Sequence, residues 1–176
     1  TIDQFRFAQD DFEWMFEFVK DKAGNSKYSD SAVKRIFSKY MSNLVFVWKN
    51  KKDEVVGFAP VMETEKSIYY WLGFYKSKKY VSGLGTRMMY EALQWARDND
   101  KEFAYLGTVY TNASLYKLNF DGWEFYNGFE WSDNKEQLKF LIGRSETNDP
   151  ELLKDDEFVK RFYEGDTSKV LKVEKN

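Results

Sequence analysis

At 176 residues, with 43% hydrophobic and 32% charged side chains, the chain has the length and balance of one folded domain that buries its own core. It contains no cysteine and no histidine. That excludes disulfides, thiolate nucleophiles, iron–sulfur clusters and the common structural zinc sites, so no metal is expected and chemistry falls to Tyr, Glu, Asp, Lys, Ser, Thr, backbone dipoles or the substrates themselves. A formal net charge of -2 argues against a dedicated nucleic-acid surface. The absence of a membrane-length apolar run or a signal-like opening predicts a cytoplasmic protein with no membrane partner.

Ile2 to Ala8 alternates in part and reads as a first strand. Asp10-Asp11 offers a cap and first-turn charge for a helix from Phe12 to about Lys22, with Trp14, Met15, Phe18 and Val19 on one stripe. Ser29-Asp30-Ser31 offers caps for a second helix, from about Ala32 to Met41, with Val33, Ile36, Phe37 and Tyr40 as its apolar side. Leu44 to Trp48 and Val55 to Met62 are β-rich runs separated by the charged turn Lys49 to Glu54, a hairpin signal. Ser67 to Tyr75 reads as a third strand of the meander.

The stretch Val81-Ser82-Gly83-Leu84-Gly85-Thr86 leaves that strand and opens an amphipathic run, in which Met89, Ala92, Leu93 and Ala96 recur at i, i+3, i+4, i+7. A Gly-x-Gly between strand and helix is a candidate phosphate cradle, since it presents unpaired N–H groups at a helix N-terminus; two glycines there are also compatible with a plain turn. Phe103 to Val109 is a strand expected to lie parallel to the earlier one across the helix. Asn112 to Lys117 is short enough for one or two helical turns, and Trp123 to Trp131 and Leu138 to Ile142 read as the last β-rich runs. From Gly143 the chain is highly charged with a weak helical stripe, Leu152, Leu153, Phe158, Val159 and Phe162. The expected organisation is therefore a mixed α/β domain over 1–142 and a C-terminal extension over 143–176, helical and packed on the domain or on a partner. Its sheet is mostly antiparallel, with a central parallel pair flanked by helices.

This order, with Gly83-Leu84-Gly85 between strand and long helix, resembles the GNAT superfamily of acyltransferases, whose loop motif reads Arg or Gln, x, x, Gly, x, Gly or Ala; Tyr80 stands at its leading position here. Leu115-Tyr116-Lys117-Leu118-Asn119-Phe120 is similar to that superfamily's Leu-Tyr-x-Lys-x-Gly-Phe helix, one residue short. Val55-Val56-Gly57, Ser67-Ile68-Tyr69, Phe74-Tyr75, Leu84-Gly85-Thr86, Ala96-Arg97, Tyr105-Leu106-Gly107 and Tyr116-Lys117 further resemble the C-terminal domain of arginyl-tRNA–protein transferases, without their cysteine-bearing N-terminal region.

The resemblance implies an enzyme that moves an acetyl or other acyl group from acyl-coenzyme A, with no metal, to a primary amine on a small molecule or peptide. Val81, Ser82, Gly83, Leu84, Gly85, Thr86 and Arg87 are then expected to hold the donor's phosphates, with Asn112 also on the cofactor. Lys76, Lys78 and Lys79 are open to the same use or to a solvated strand end. Gly73, Phe74 and Tyr75 are expected to meet the acyl-pantetheine arm through backbone groups. Tyr116 falls on the family's proton donor to the departing thiolate, or packs against the sheet. Glu63 and Glu124 are the candidate bases, and Tyr69, Trp71, Tyr110 and Trp123 candidate walls of an acceptor cleft. Two alternatives stand beside this reading: an aminoacyl-tRNA-dependent transferase, for which tRNA is the partner, and a non-catalytic binding module of the same fold. The residues leave the oligomeric state open.

Overall fold

The computed structural model describes residues 1, 9–23, 29–76, 82–144 and 151–170. The expected strand at 2–8, together with Lys78, Lys79, Tyr80 and Val81, lies outside the described residues. The chain divides into two units, Thr1–Gly107 and Thr108–Asn176.

In the first unit, β1 (Leu44–Lys49) and β2 (Val55–Glu63) pair antiparallel as the hairpin signal predicts. The turn is built by Asn50, whose side-chain oxygen accepts from the backbone N–H groups of Lys52 and Glu54. Ser67 to Tyr75 is not one strand. It forms β3 (Ser67–Tyr70) and β4 (Phe74–Tyr75), both antiparallel to β2, with Trp71-Leu72-Gly73 between them. Tyr70 faces Val61 and Phe74 faces Phe58, so three residues on this strand oppose only Ala59 and Pro60: a β-bulge. Pro60 has no N–H to donate, which is the physical reason the ladder fails there.

Two helices cover one face of this sheet. In α1 (Gln9–Ala23), Trp14 stacks on Phe58 at 5.5 Å, and Phe18 meets Phe74 at 6.0 Å. The helix already includes Gln9, so Asp10 and Asp11 lie in its first turn and do not precede it. The next helix, α2 (Asp30–Ile36), starts where the Ser29 side chain accepts from Ala32 N–H, but stops five residues before Met41. Tight i→i+3 bonds from Phe37 and Ser38 close it, and the buried Ser42 hydroxyl donates to the Ile36 carbonyl, taking up a helix-end acceptor. Tyr40 consequently leaves the expected buried stripe and is exposed.

On the opposite face lies α3 (Leu84–Asp98), longer at its start than the sequence pattern suggested. Met88, Met89, Ala92 and Ala96 are buried, and Met88 packs on Gly57, where a Cβ would sit 2.8 Å from its sulfur. The chain then returns as β5, parallel to β3 as expected, with Tyr69 beside Tyr105. This strand covers only Phe103–Tyr105, shorter than the anticipated Phe103 to Val109.

The second unit carries a 3-10 helix at Asn112–Asn119, the short antiparallel strands β6 (Phe125–Tyr126) and β7 (Trp131–Ser132), and the helices α4 (Lys135–Gly143) and α5 (Asp156–Tyr163). The expected β-run Leu138 to Ile142 is helical: Asn134 caps it by accepting from the N–H groups of Glu136 and Gln137. Trp123 to Trp131 yields only the start and end of a hairpin. Within this unit Phe158, Val159 and Tyr163 of α5 pack with Phe129, Phe140 and Leu141. Asp155 caps α5, and Arg144 bonds to the same carboxylate at 3.1 Å.

Candidate active site

Backbone groups in a sheet are obligatory donors and acceptors, so a bulge asks where its N–H groups go. Trp71 N–H reaches the Pro60 carbonyl at 3.4 Å. Among the described residues, no partner accepts from the N–H groups of Leu72 or Gly73. The β3–β5 pairing ends at Tyr69 and Tyr105, so the bulge lies just past the point where the parallel strands part. Two unspent donors therefore sit in a half-buried segment, and backbone N–H groups polarise a carbonyl oxygen when they are aimed at it. Gly73 is needed there because a Cβ would collide with the hydroxyl of buried Tyr70.

The second component is the start of α3. Gly83 occupies the left-handed region at φ 84°, the turn that glycine makes without steric penalty, and nothing lies within 4 Å of where its Cβ would point. No side chain caps this terminus and no acidic residue occupies the first turn. The first intrahelical bond, from Arg87 N–H to the Gly83 carbonyl, leaves the N–H groups of Leu84, Gly85 and Thr86 ahead of it. Such an end attracts anions through its donors and its dipole. Gly85 serves a different need from Gly83: a Cβ on it would fall 2.7 Å from the ring of Tyr75. That close approach ties the first turn of α3 to the strand just after the bulge.

Several expected site residues have other engagements. Arg87 is salt-bridged to Glu91 at 2.7 Å, and the second Glu91 oxygen accepts from the Trp48 indole N–H at 2.7 Å. Lys76 lies over the Trp14 ring, 5.2 Å from its centroid. Glu63 is paired at 2.9 Å with the nearly buried Lys101, which also donates to the Thr64 carbonyl. Phe74 is fully buried and is therefore present to the site through its backbone alone. Tyr69 and Trp71 meet edge to face at 5.4 Å. In the second unit, Tyr116 and Asn112 lie on the exposed side of the 3-10 helix, Tyr110 and Glu124 are exposed, and Trp123 stacks with Phe125 at 6.5 Å.

Sequence reasoning missed the bulge, for which Pro60 in a β-run was the available signal, and the tether of Arg87 through Glu91 to Trp48. It also missed a buried polar cluster in the second unit. There Tyr163 donates to Glu130 and accepts from Gln137 at 3.0 Å, and Asn127 accepts from the N–H groups of Phe129 and Glu130. Burial, with Glu130 accepting from its hydroxyl, pushes the Tyr163 phenol up to about 12. Burial also lowers the Lys117 ammonium below its usual range, while its Nζ donates to the Thr108 carbonyl at 2.8 Å. Among the described residues no group of acidic, histidine or cysteine side chains could hold a metal ion, and no helix is long and apolar enough to cross a membrane.

The described residues thus form a bulged, mostly antiparallel sheet with one parallel pair, followed by an uncapped, glycine-led helix, an architecture consistent with the GNAT fold. The chain belongs to the acetyltransferase (GNAT) family, which matches residues 7–120. Members of this family generally draw their acyl group from acyl-coenzyme A and act on amines. Among solved structures, the chain is similar to Ard1 from Thermoplasma volcanium, at 16% identity and TM-score 0.38 over 55% of this chain and 64% of that one. It is also similar to an acetyltransferase from Trypanosoma brucei, at 15% identity and TM-score 0.45 over 68% of this chain and 92% of that one. A GNAT family protein from Streptococcus pneumoniae aligns at 16% identity and TM-score 0.41 over 60% and 80% of the two chains. No curated protein matches the chain.

Proposed function

We propose that this chain is an N-acyltransferase that accepts an acyl group from acyl-coenzyme A and gives it to a primary amine. The observation that carries this reading is the pair of unspent N–H groups at Leu72 and Gly73, one strand segment away from the uncapped N-terminus of α3. The donor set fits the ligand: several backbone N–H groups and no first-turn carboxylate suit a pyrophosphate, and an open β-edge suits an extended pantetheine arm. Bound there, the thioester supplies an activated acyl carbon.

The chain's own residues then perform three tasks. Ser82 to Thr86 hold the phosphates through backbone donors, with Gly83 providing the turn, and Arg87 adds positive charge from the same helical turn. Leu72 and Gly73 donate to the carbonyl oxygen as negative charge grows on it, a contribution of about 2.7–4 kcal/mol for a well-aimed donor. Tyr116 is assigned proton donation to the departing thiolate on the strength of its motif. Glu63 and Glu124 enter only as bases to be tested by E63Q and E124Q, since the Lys101 pair holds the Glu63 carboxylate. The reading takes 1–142 as the acyltransferase domain and 143–176 as its extension.

Isothermal titration of the full chain with acetyl-coenzyme A tests the reading. Micromolar binding that Gly83→Glu weakens at least about tenfold is expected, because a carboxylate at the helix N-terminus repels phosphate. No binding to the parent chain contradicts it, and binding of charged tRNA in its place supports the aminoacyl-tRNA-dependent alternative. An unchanged transfer rate in Tyr116→Phe removes Tyr116 from its role.

A further inference from the structure

We propose that the cavity at the C-terminal end of α3 binds a small organic cation of guanidinium type, with its charged head on Asp100 and its alkyl body against Leu93, Ala96, Phe103 and Ala104. The cavity lies within the first unit, about 22 Å along the helix from the glycine loop, and does not depend on the acyl-transfer reading.

The end of α3 is built against its own electrostatics. Asn99 closes the helix, and the chain turns at Asp100, whose φ of 55° lies in the left-handed region. Lys101 N–H returns to the Ala96 carbonyl at 2.9 Å and Asp100 N–H to the Arg97 carbonyl at 3.1 Å, the two bonds of a Schellman turn. Glycine or asparagine takes this position with least strain, and a carboxylate there adds its charge to the negative pole of the helix. Asp53, the other aspartate with positive φ, at 64°, has its charge met by Lys49 at 3.0 Å. Among the described residues no side chain meets the charge of Asp100. Local rules of this kind are typically broken at functional sites.

Charge complementarity identifies the occupant. Around the cavity each cation already has an anion: Arg97, the basic residue of the last helical turn, bonds to Asp98 at 2.8 Å, Lys101 to Glu63 at 2.9 Å and Lys66 to Glu102 at 2.9 Å. Lys101 also donates to the Thr64 and Glu65 carbonyls, which fixes its ammonium there. One negative charge, on Asp100, is left over. The walls beside it are apolar, Leu93 and Ala96 from α3 and Phe103 and Ala104 from β5, and they border a volume of about 420 Å³. That is room for a small molecule and more than a lone ion fills. An unmet carboxylate beside apolar walls calls for a ligand with a cationic head and an alkyl body.

A guanidinium suits this setting better than an ammonium. Its planar fork meets a carboxylate with two parallel hydrogen bonds, and its weaker hydration lets the alkyl stem be drawn against Phe103 at less cost. It stays protonated throughout the neutral range, so it occupies the cavity as a bound cation with no covalent step. Anions are repelled by the same features, since Asp100 and the negative pole of α3 act together. The two ends of α3 are therefore opposite in kind: N–H groups without a carboxylate at the start, a carboxylate without a cation at the end.

The test is an NMR titration of the isotopically labelled full chain with n-butylguanidinium chloride and, separately, with N-butylurea, its neutral isostere. The expected result is saturable shifts of the backbone amides from Asp100 to Ala104, with the cation binding at least about tenfold tighter than the neutral probe. Asp100→Asn should abolish that preference and raise the melting temperature, because asparagine keeps the turn without the charge. Asp53→Asn should leave the preference intact. Equal affinity for the two probes, a preference that survives in Asp100→Asn, or one lost equally in Asp53→Asn overturns the proposal. An unchanged or lower melting temperature in Asp100→Asn also overturns it, since Asp100 would then not be held against stability.

Discussion

The first unit closes its core with rings and aliphatic chains, Phe58 against Trp14 and Phe74 against Phe18 and Phe37, with every element stacked on one sheet. The second unit has a smaller apolar cluster and closes it with side-chain hydrogen bonds among Asn127, Glu130, Gln137 and Tyr163, and with the Arg144–Asp155 pair. Apolar burial is tolerant of shape and readable from periodicity, whereas a buried polar cluster stabilises only while every member is satisfied. The two units should therefore fail differently: the first by loss of volume, the second by loss of a single donor or by a change of protonation.

The largest effect is expected at Phe74, fully buried between α1, α2 and β2. Phe74→Ala should destabilise the first unit by about 3–5 kcal/mol, read by hydrogen exchange of the α1 and β2 amides. A loss below about 1 kcal/mol would mean the rings are not the closure of that core.

Alkaline titration comes next. The folded pKa of Tyr163 is raised from 10.0 to about 12, so the native second unit holds this phenol neutral more firmly than the unfolded chain does. That stability is fully present below pH 10 and lost as pH rises through about 12, amounting to roughly 2–3 kcal/mol. Exchange of the α5 amides between pH 9 and 12 should show it, and Tyr163→Phe should abolish that pH dependence.

At neutral pH the same Tyr163→Phe should cost about 1–3 kcal/mol, because Gln137, only 3% exposed, loses its acceptor and Glu130 its donor. A neutral effect would make this cluster ordinary packing. The smallest change is Asn134→Ala, which removes the α4 cap at about 1 kcal/mol, checked by urea denaturation.

This difference also governs what was legible in the sequence. The stripe Met89, Ala92, Ala96 and the β1–β2 hairpin emerge from apolar periodicity, and the parallel pair follows from strand, helix, strand order. Leu138 to Ile142 misled because a short apolar run has no decisive period, and the deciding residue, Asn134, acts through a cap outside it. The glycine loop before α3 was legible as a motif, but not the division of labour in which Gly83 makes the turn and Gly85 admits the Tyr75 ring. Least legible were the N–H groups of Leu72 and Gly73, which have no acceptor among the described residues because three residues there oppose two, and the Pro60 carbonyl is taken by Trp71.

Those two amides are also where the account is most exposed. Titrating the isotopically labelled full chain with acetyl-coenzyme A and following backbone amide resonances tests it directly. The account predicts saturable shifts at Leu72 and Gly73 together with Leu84, Gly85 and Thr86, all with one dissociation constant. Binding that leaves Leu72 and Gly73 unmoved would contradict it.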